Sequence, residues 1–248
     1  FIHLTLIPFI RAANEFKNKP TQQNVKELLS VGIQPDLLVC RTIENISKDS
    51  KKKISLFCNI PIDSVVNSVD VDSIYEVPSS LFNEKIHLRI FDFFNLKYEN
   101  KINLSKWNKF NKKIGKLNKT IKIAIVGKYV NLSESYKSLN EALFHSGVFN
   151  NVKVNLSWID AVGLKDQSIC KKNLSIYDGI LVPGGFGERG ALGKINAIKF
   201  SRLNKKPFLG ICFGMQLAVI ESARNIKGYE KASSTEFGKS DLPIIALI

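Results

Sequence analysis

The sequence is poor in the residues that staple small proteins. Its four cysteines, Cys40, Cys58, Cys170 and Cys212, include no Cys-x-x-Cys pair. That spacing argues against a zinc site and a disulfide framework, and for a reducing compartment. No apolar stretch is long enough to span a bilayer, so no membrane partner is expected. Internal repeats are absent. Acidic residues are outnumbered, 22 against 36 basic ones, for a net charge of +14. Only six of those bases are arginine, and the lysines are scattered among asparagines and isoleucines along the whole chain. The excess therefore reads as a compositional bias of the coding sequence. Base readout leans on arginine forks, and no stacking-aromatic module is visible, so no nucleic-acid partner is expected. Six Asn-x-Ser/Thr triplets, Asn131-Leu132-Ser133 among them, follow from the abundance of asparagine and carry no glycosylation meaning without a signal peptide.

What is present is the composition of a globular protein: 44% hydrophobic and 23% charged residues over 248 positions, enough for one large or two small domains. The ends carry information of their own. Phe1–Ile7 already reads as a buried strand and Pro243–Ile248 as another, so the chain is expected to be an interior piece of a longer protein.

Along the chain, strand and helix signals alternate. Phe1–Ile7 is a strand. Thr21–Val31 is a helix that Thr21 can cap and Gly32 ends, with Val25, Leu28 and Leu29 on one face. Asp36–Cys40 is a second buried strand and Lys51–Phe57 a short helix. Val65–Val77 mixes a strand with a helix start, and Pro78–Phe94 is mostly helical. Lys97–Thr120 differs: it is lysine-rich, lacks a strand signal and sets Leu104, Trp107, Phe110 and Ile114 at helical spacing. It reads as a connector whose short helix docks on a domain surface. Beyond it come strands at Ile121–Gly127, Val152–Ile159, Ile180–Val182 and Phe208–Ile211, with helices at Glu134–Ser146, Leu192–Leu203 and Met215–Asn225. The expected fold class is α/β: two domains, each a mainly parallel sheet with helices on both faces, both truncated. Residues 1–96 would form the first, 97–120 the connector and 121–248 the second.

Two motifs stand out. Pro207–Gln216 is an apolar strand entering a turn with Cys212 between Gly210 and Gly214. A strand, a sharp turn and a helix expose one side chain at the top of an α/β sheet, and flanking glycines let the backbone fold that tightly. The helix behind it aims its N-terminal dipole at the sulfur, which favours thiolate over thiol. Isolated, Gly-x-Cys-x-Gly is as often an inert buried cysteine; here the strand-turn-helix context is present. The second motif, Asp178–Arg189, is a strand ending in Pro183-Gly184-Gly185-Phe186-Gly187. Most Pro-Gly-Gly stretches are plain loops, but such a turn also exposes backbone N–H groups suited to a developing oxyanion. Side by side at the carboxyl edge of a parallel sheet, the two turns make one site.

This pair closely resembles class I glutamine amidotransferase domains. The rest of the chain resembles the CTP synthase family: Lys17-Asn18-Lys19-Pro20-Thr21-Gln22, then Gly32-Ile33-Gln34-Pro35-Asp36, then Asp70-Val71-Asp72-Ser73-Ile74-Tyr75, Val126-Gly127-Lys128-Tyr129, Ser135-Tyr136-Lys137-Ser138 and Ser234-Thr235-Glu236-Phe237. The resemblance runs in order over essentially the whole chain. It implies an ATP-dependent amidoligase domain that turns UTP into CTP with ammonia that a glutaminase domain releases from glutamine. Cys212 would then attack the carboxamide and form a thioester. Gly185 and the backbone N–H of Phe213 would make the oxyanion hole. Phe213, Gly214, Met215 and Gln216 would line the glutamine site, and Glu236 would hold the substrate amine.

On the other domain the resemblance puts Lys17, Asn18, Lys19, Pro20, Thr21, Gln22 and Lys53 at the UTP/CTP site, and Arg41, Asp70 and Val71 near the ATP adenine. Lysines two apart before a helix can aim two ammonium groups at a polyphosphate, with the Thr21 hydroxyl and the helix N-terminus adding donors. Without the resemblance, Lys-Asn-Lys reads as a solvated loop, Asp70 as a turn residue and Val71 and His3 as core. Asn18 replaces the family's threonine and Phe213 its leucine. The ATP-binding P-loop and magnesium-binding acids are expected upstream of Phe1, and the histidine and glutamate of a Cys-His-Glu triad downstream of Ile248. None of His3, His87 and His145 falls in a pattern that replaces that base, and the chain by itself is expected to be inactive. The family also implies Mg²⁺ and ATP as cofactors, GTP as activator, a homotetramer and a cytoplasmic location. The rival readings are a non-catalytic nucleotide-binding or polymerising homologue, and another class I amidotransferase.

Overall fold

Alternating apolar residues pair Ile2–Leu6 (β1) into the edge of a three-stranded sheet, and the computed structural model builds the first unit, Phe1–Lys112, around that sheet. It describes every residue except 14, 99–101, 129–135, 186 and 247–248. The expected onset of a helix at Glu134, the triplet Asn131-Leu132-Ser133, the motif residues Tyr129, Ser135 and Phe186, and the end of the last strand lie outside the described residues.

After β1 come a small antiparallel pair, β2 (Phe9–Ile10) and β3 (Glu15–Phe16), then α1 (Lys19–Ser30), β4 (Leu37–Thr42), α2 (Lys48–Cys58), β5 (Val65–Val69), α3 (Val77–Asn83), α4 (Ile86–Phe93) and α5 (Ser105–Ile114). The sheet order is β1-β4-β5, all parallel, with Leu4 beside Val39 and Val39 beside Val66. Strands buried on both faces read as continuous apolar runs, as β4 does. Leu38, Cys40 and Val65 pack on Val25 of α1 and on Ile54 and Cys58 of α2. Leu37, Val39 and Val66 meet Leu81 of α3 and Ile86 of α4 on the opposite face. Helix α5 docks through Trp107 and Phe110 of the expected stripe, whose rings lie 6.0 and 5.4 Å from that of Tyr75, and through Asn111, which was not in it: Trp107 Nε1 and Asn111 Nδ2 both donate to the Tyr75 carbonyl, at 2.6 and 2.7 Å.

Strand β1, read as buried, leaves Ile2, Leu4 and Leu6 exposed, and the start of the first helix differs as well. Helix α1 begins at Lys19, with Asn18 at its N-cap position and making no side-chain cap. Thr21 lies inside the first turn, fully buried, and its hydroxyl donates to the Leu6 carbonyl at 3.3 Å. Thr21 ties the helix to β1 instead of capping it, because Pro20 is preset for a helical first turn and starts the helix earlier.

The second unit, Lys113–Ile248, holds β6 (Lys119–Gly127), α6 (Lys137–Phe149), β7 (Val152–Asp160), α7 (Gln167–Leu174), β8 (Gly179–Val182), α8 (Ala191–Leu203), β9 (Phe208–Gly210), α9 (Phe213–Asn225), β10 (Ala232–Ser234) and β11 (Leu242–Ile245). Its main sheet is parallel in the order β7-β6-β8-β9, with β10 and β11 forming a separate parallel pair. Ala124, Val126, Ile180 and Val182 enter a core with Ile195, Ile198, Leu217 and Ile220, while the alternating Ile125 and Leu181 are buried on the other face. The stretch read as free of strand ends inside β6: Lys119 and Thr120 pair with Val152 and Lys153 of β7. Two polar residues lengthen the strand because a nine-residue neighbour offers them a ladder.

From β6 the chain steps out to β7, then returns across β6 to β8 and β9. The order reverses between β6 and β8, and in open α/β sheets ligands bind outside the carboxyl ends of the strands at such a reversal. Among the described residues, no helix is long and apolar enough to cross a membrane.

Candidate active site

Three adjacent strands each deliver site residues from their carboxyl ends: β6 runs into Lys128, β8 into Gly184 and Gly185, and β9 into Cys212. Cys212 is the residue between β9 and α9, at φ 52 and ψ −111. For a side chain with a Cβ that conformation is strained, costing about 1–3 kcal/mol, and strain of this kind gathers at functional sites. The turn is held from both sides. Ile211 N–H donates to the Val182 carbonyl at 3.0 Å, and the Cys212 carbonyl accepts from Met215 and Gln216 N–H at 3.0 and 3.2 Å. Of the four cysteines, all free thiols, Cys212 is the exposed one. Burial pushes the other kind of thiol up: Cys40 to about 12 and Cys170 to about 11.

The glycine turn lies against this cysteine. A Cβ built on Gly184 would sit 3.5 Å from Cys212 Cβ and 3.9 Å from Sγ, so glycine keeps the thiol side of the crevice open. Gly185 adopts φ +121, a conformation side chains rarely take. Its carbonyl accepts from Lys194 Nζ at 3.3 Å. Two residues on, the Gly187 carbonyl accepts from Lys128 Nζ at 3.3 Å, and Gly187 N–H donates to Glu236 Oε1 at 2.9 Å. Glu236 sits in a single helical turn after β10, where Ser234 Oγ accepts its N–H at 3.1 Å. The structure thus joins Glu236 to the glycine turn, and Gly185 and Cys212 to one sheet edge.

The other expected glutamine-site residues divide. Met215 is exposed and Gln216 half-buried. The Phe213 ring is fully buried, edge-on to Phe237 at 5.9 Å, so only its backbone can face a ligand. Gly214 is buried against β8. Lys194 was missed, and Lys128 was read only as part of the Val126-Gly127-Lys128-Tyr129 motif, with no role at the glycine turn. A lysine in so lysine-rich a chain gives no signal, and only the place of Lys194 in the helix after the glycine turn could have raised the question.

In the first unit, Lys17–Gln22, Arg41, Asp70 and Val71 all follow the carboxyl ends of β1, β4 and β5 or lie at them. Arg41 Nε donates to Asp70 Oδ1 at 2.7 Å, and Asp70 N–H to the Thr42 carbonyl at 2.7 Å. Val71 is half-buried. Lys17 pairs with Glu15, Lys19 and Pro20 are exposed, and Gln22 N–H donates to the Asn18 carbonyl at 3.1 Å. The Asn18 side-chain oxygen is buried without a partner, so a donor from a ligand would satisfy it. Thr21 departs from expectation, since its hydroxyl is engaged with Leu6 and Thr5 and the residue has no exposed surface. Lys53 is exposed on the middle of α2, the helix packed on α1. No group of three or more His, Cys, Asp or Glu that could hold a metal occurs among the described residues.

A parallel α/β unit with a strained cysteine at a strand-to-helix elbow, facing a glycine turn, defines a cysteine-elbow α/β protein. The family model "Glutamine amidotransferase class-I" matches residues 131–246, and "CTP synthase N-terminus" matches residues 1–96. The CTP synthases of Pelagibacter ubique, Paramagnetospirillum magneticum and Azospirillum brasilense are 55%, 52% and 50% identical over 248 residues, covering all of this chain and 46%, 46% and 45% of their own lengths. The glutaminase domain of Trypanosoma brucei CTPS, solved with bound acivicin, aligns at 36% identity over 51% of this chain and 50% of that one, with a TM-score of 0.48. The chain belongs to the CTP synthase family, and it spans about half the length of the curated relatives it matches.

Proposed function

We propose that the protein releases ammonia from glutamine at Cys212 and uses it to aminate UTP to CTP at the expense of ATP. One observation carries the reading: a non-glycine residue held at φ 52 on a strand-to-helix turn, with its thiol exposed beside Gly184. In this reaction the Cys212 thiolate attacks the carboxamide carbon of glutamine, and the carbonyl electrons move onto oxygen. Backbone N–H groups of Gly185 and Phe213 hold that oxyanion at the carboxyl edge of the sheet. Collapse, with a proton passed from water to the amide nitrogen, expels ammonia and leaves a γ-glutamyl thioester on sulfur. Water then attacks the thioester, restoring the thiolate and releasing glutamate. Glu236 holds the substrate ammonium by charge-assisted bonding, while Gly214, Met215 and Gln216 shape the floor of the site.

Residues 1–96 belong to the amidoligase domain, 97–120 to the connector and 121–248 to the amidotransferase domain. Lys17, Asn18, Lys19, Pro20 and Gln22 offer the triphosphate of UTP or CTP two ammonium groups and the start of α1. Thr21 supports that loop from beneath, and Lys53 adds positive charge from α2. Arg41, Asp70 and Val71 lie at the neighbouring strand ends, where the adenine of ATP would be read. ATP phosphorylates UTP at O4, and ammonia displaces the phosphate. Mg²⁺ would accompany the ATP, and no group of three or more His, Cys, Asp or Glu that could hold it occurs among the described residues. GTP activation, homotetramer assembly and a cytoplasmic location go with the same reading.

The test is Cys212→Ala in the full-length protein, assayed for CTP formation with glutamine and with ammonium chloride. Glutamine-dependent formation should disappear while ammonium-dependent formation persists. Equal rates with glutamine in parent and variant would sink the reading.

A further inference from the structure

Lys194 is the chain's anomalous charge. It lies in the first turn of α8 with no exposed surface, and its ammonium stands 5.3 Å from the centroid of the equally buried Phe213 ring. Among the described residues no carboxylate pairs with it; its hydrogen bond goes to the Gly185 carbonyl. A buried ammonium without a carboxylate is costly, and such a group persists where it does a job. Its site is the glycine turn itself. Gly185 has no Cβ to limit its backbone and sits at φ +121, so the turn needs an outside restraint to hold one conformation. Lys194 supplies it from inside the unit, at Gly185. Lys128 and Glu236 hold Gly187, two residues further on. The Phe213 ring beneath Lys194 belongs to the residue that follows Cys212, so one side chain touches both halves of the elbow.

We infer that Lys194 is a positioning residue for glutamine hydrolysis, its buried ammonium fixing the Gly185 peptide so that the turn presents its N–H groups to the oxyanion formed at Cys212. The role rests on the glutaminase reading above. It acts on the transition state, where the oxyanion exists, and leaves glutamine binding and the nucleotide chemistry of the first unit alone.

The experiment uses full-length protein and three forms: parent, Lys194→Met, which keeps the length without the donor, and Lys194→Gln, which keeps an N–H donor without the charge. Removing an oxyanion donor outright costs about 10²–10³ in kcat; loosening one should cost less, about 30-fold for Lys194→Met, with KM for glutamine within about 3-fold. Lys194→Gln should recover at least about 5-fold of that loss at equal thermal stability. CTP formation from ammonium chloride should be equal in all three. A kcat for Lys194→Met within about 3-fold of the parent overturns the role. So does equal impairment of the Met and Gln variants, whatever their stability, since the donor would then be irrelevant. If the parent itself releases no ammonia from glutamine while making CTP from ammonium, the glutaminase reading has failed and the role falls with it.

Discussion

Gly214 packs so closely on the carbonyl of Val182 that a Cβ there would overlap the oxygen, and its own carbonyl stands 2.7 Å from where a Cβ of Gly210 would be. The two glycines that flank Cys212 in sequence therefore interlock in space. They let α9 start directly on top of β8 and β9, which is what lifts the cysteine out of the sheet.

Gly214→Ala should accordingly damage the fold, because the atoms it meets are backbone and cannot rotate away. Overpacking against backbone costs about 3 kcal/mol or more. A loss of that size lowers the melting temperature by about 6 °C or more in a protein of this size. Gly115→Ala, where nothing lies within 4 Å, is the control and should change stability by less than about 0.5 kcal/mol. Thermal denaturation followed by circular dichroism compares the two.

Alkylation should single out one thiol. Thiolates react and thiols do not, and Cys40 and Cys170 are buried with their titration pushed to about 12 and about 11. Burial likewise pushes Cys58 up. Brief iodoacetamide treatment at neutral pH, read by peptide mass mapping, should modify Cys212 at least about tenfold faster than the other three. Denaturation should make all four equal. Comparable labelling of Cys40 or Cys58 in folded protein would contradict the burial.

Much of this arrangement was legible beforehand, for identifiable reasons. The buried strands β4 and β8, and β6 from Ile123 onward, are near-continuous apolar runs, and parallel strands covered on both faces have no other way to be written. The elbow was legible because its glycines, cysteine and flanking strand are contiguous. What escaped is what packing alone decides. Thr21 looks like a cap, and only the approach of α1 to β1 turns its hydroxyl into an anchor. The bond from Gly187 to Glu236 spans 49 positions of sequence. Lys194 looks like any solvated lysine. Its neighbour Gly193 lets α8 press onto the Ala161 backbone, and that approach draws the following residue inside. Glu221 is hidden in the same way, on α9 among apolar neighbours.

Glu221 makes an asymmetric prediction. Its carboxylate is 1% exposed and accepts from Arg202 Nε and Nη2 at 2.8–3.2 Å, whereas Arg202 is 32% exposed. Removing the arginine leaves a buried charge without a partner, which costs about 3–5 kcal/mol. Replacing the glutamate with an apolar side chain leaves a guanidinium that can still reach water. Arg202→Met should therefore destabilise more than Glu221→Met, by about 2 kcal/mol in urea denaturation. The reverse order would show that Glu221 finds another partner.

Lys194 should also leave a signature in the pH dependence of stability. Burial, reinforced by Lys128, lowers its titration from the ordinary 10.5 to about 8. Between those values the unfolded chain holds the proton and the folded one does not, so stability attributable to this group rises with pH. Its destabilising effect is full below about pH 8 and is relieved as the pH climbs to 10.5, by about 3 kcal/mol in total. Buried Cys40 and Cys170 act in the opposite sense, since the unfolded thiols ionise first and stability is lost as pH rises above 9.0. Subtracting the unfolding free energy of Lys194→Met from that of the parent removes the thiols from the comparison. The difference should grow in the parent's favour by about 2–3 kcal/mol from pH 7 to pH 10.5. A flat difference across that range would mean that Lys194 titrates alike in the folded and unfolded chain, and that water reaches its ammonium after all.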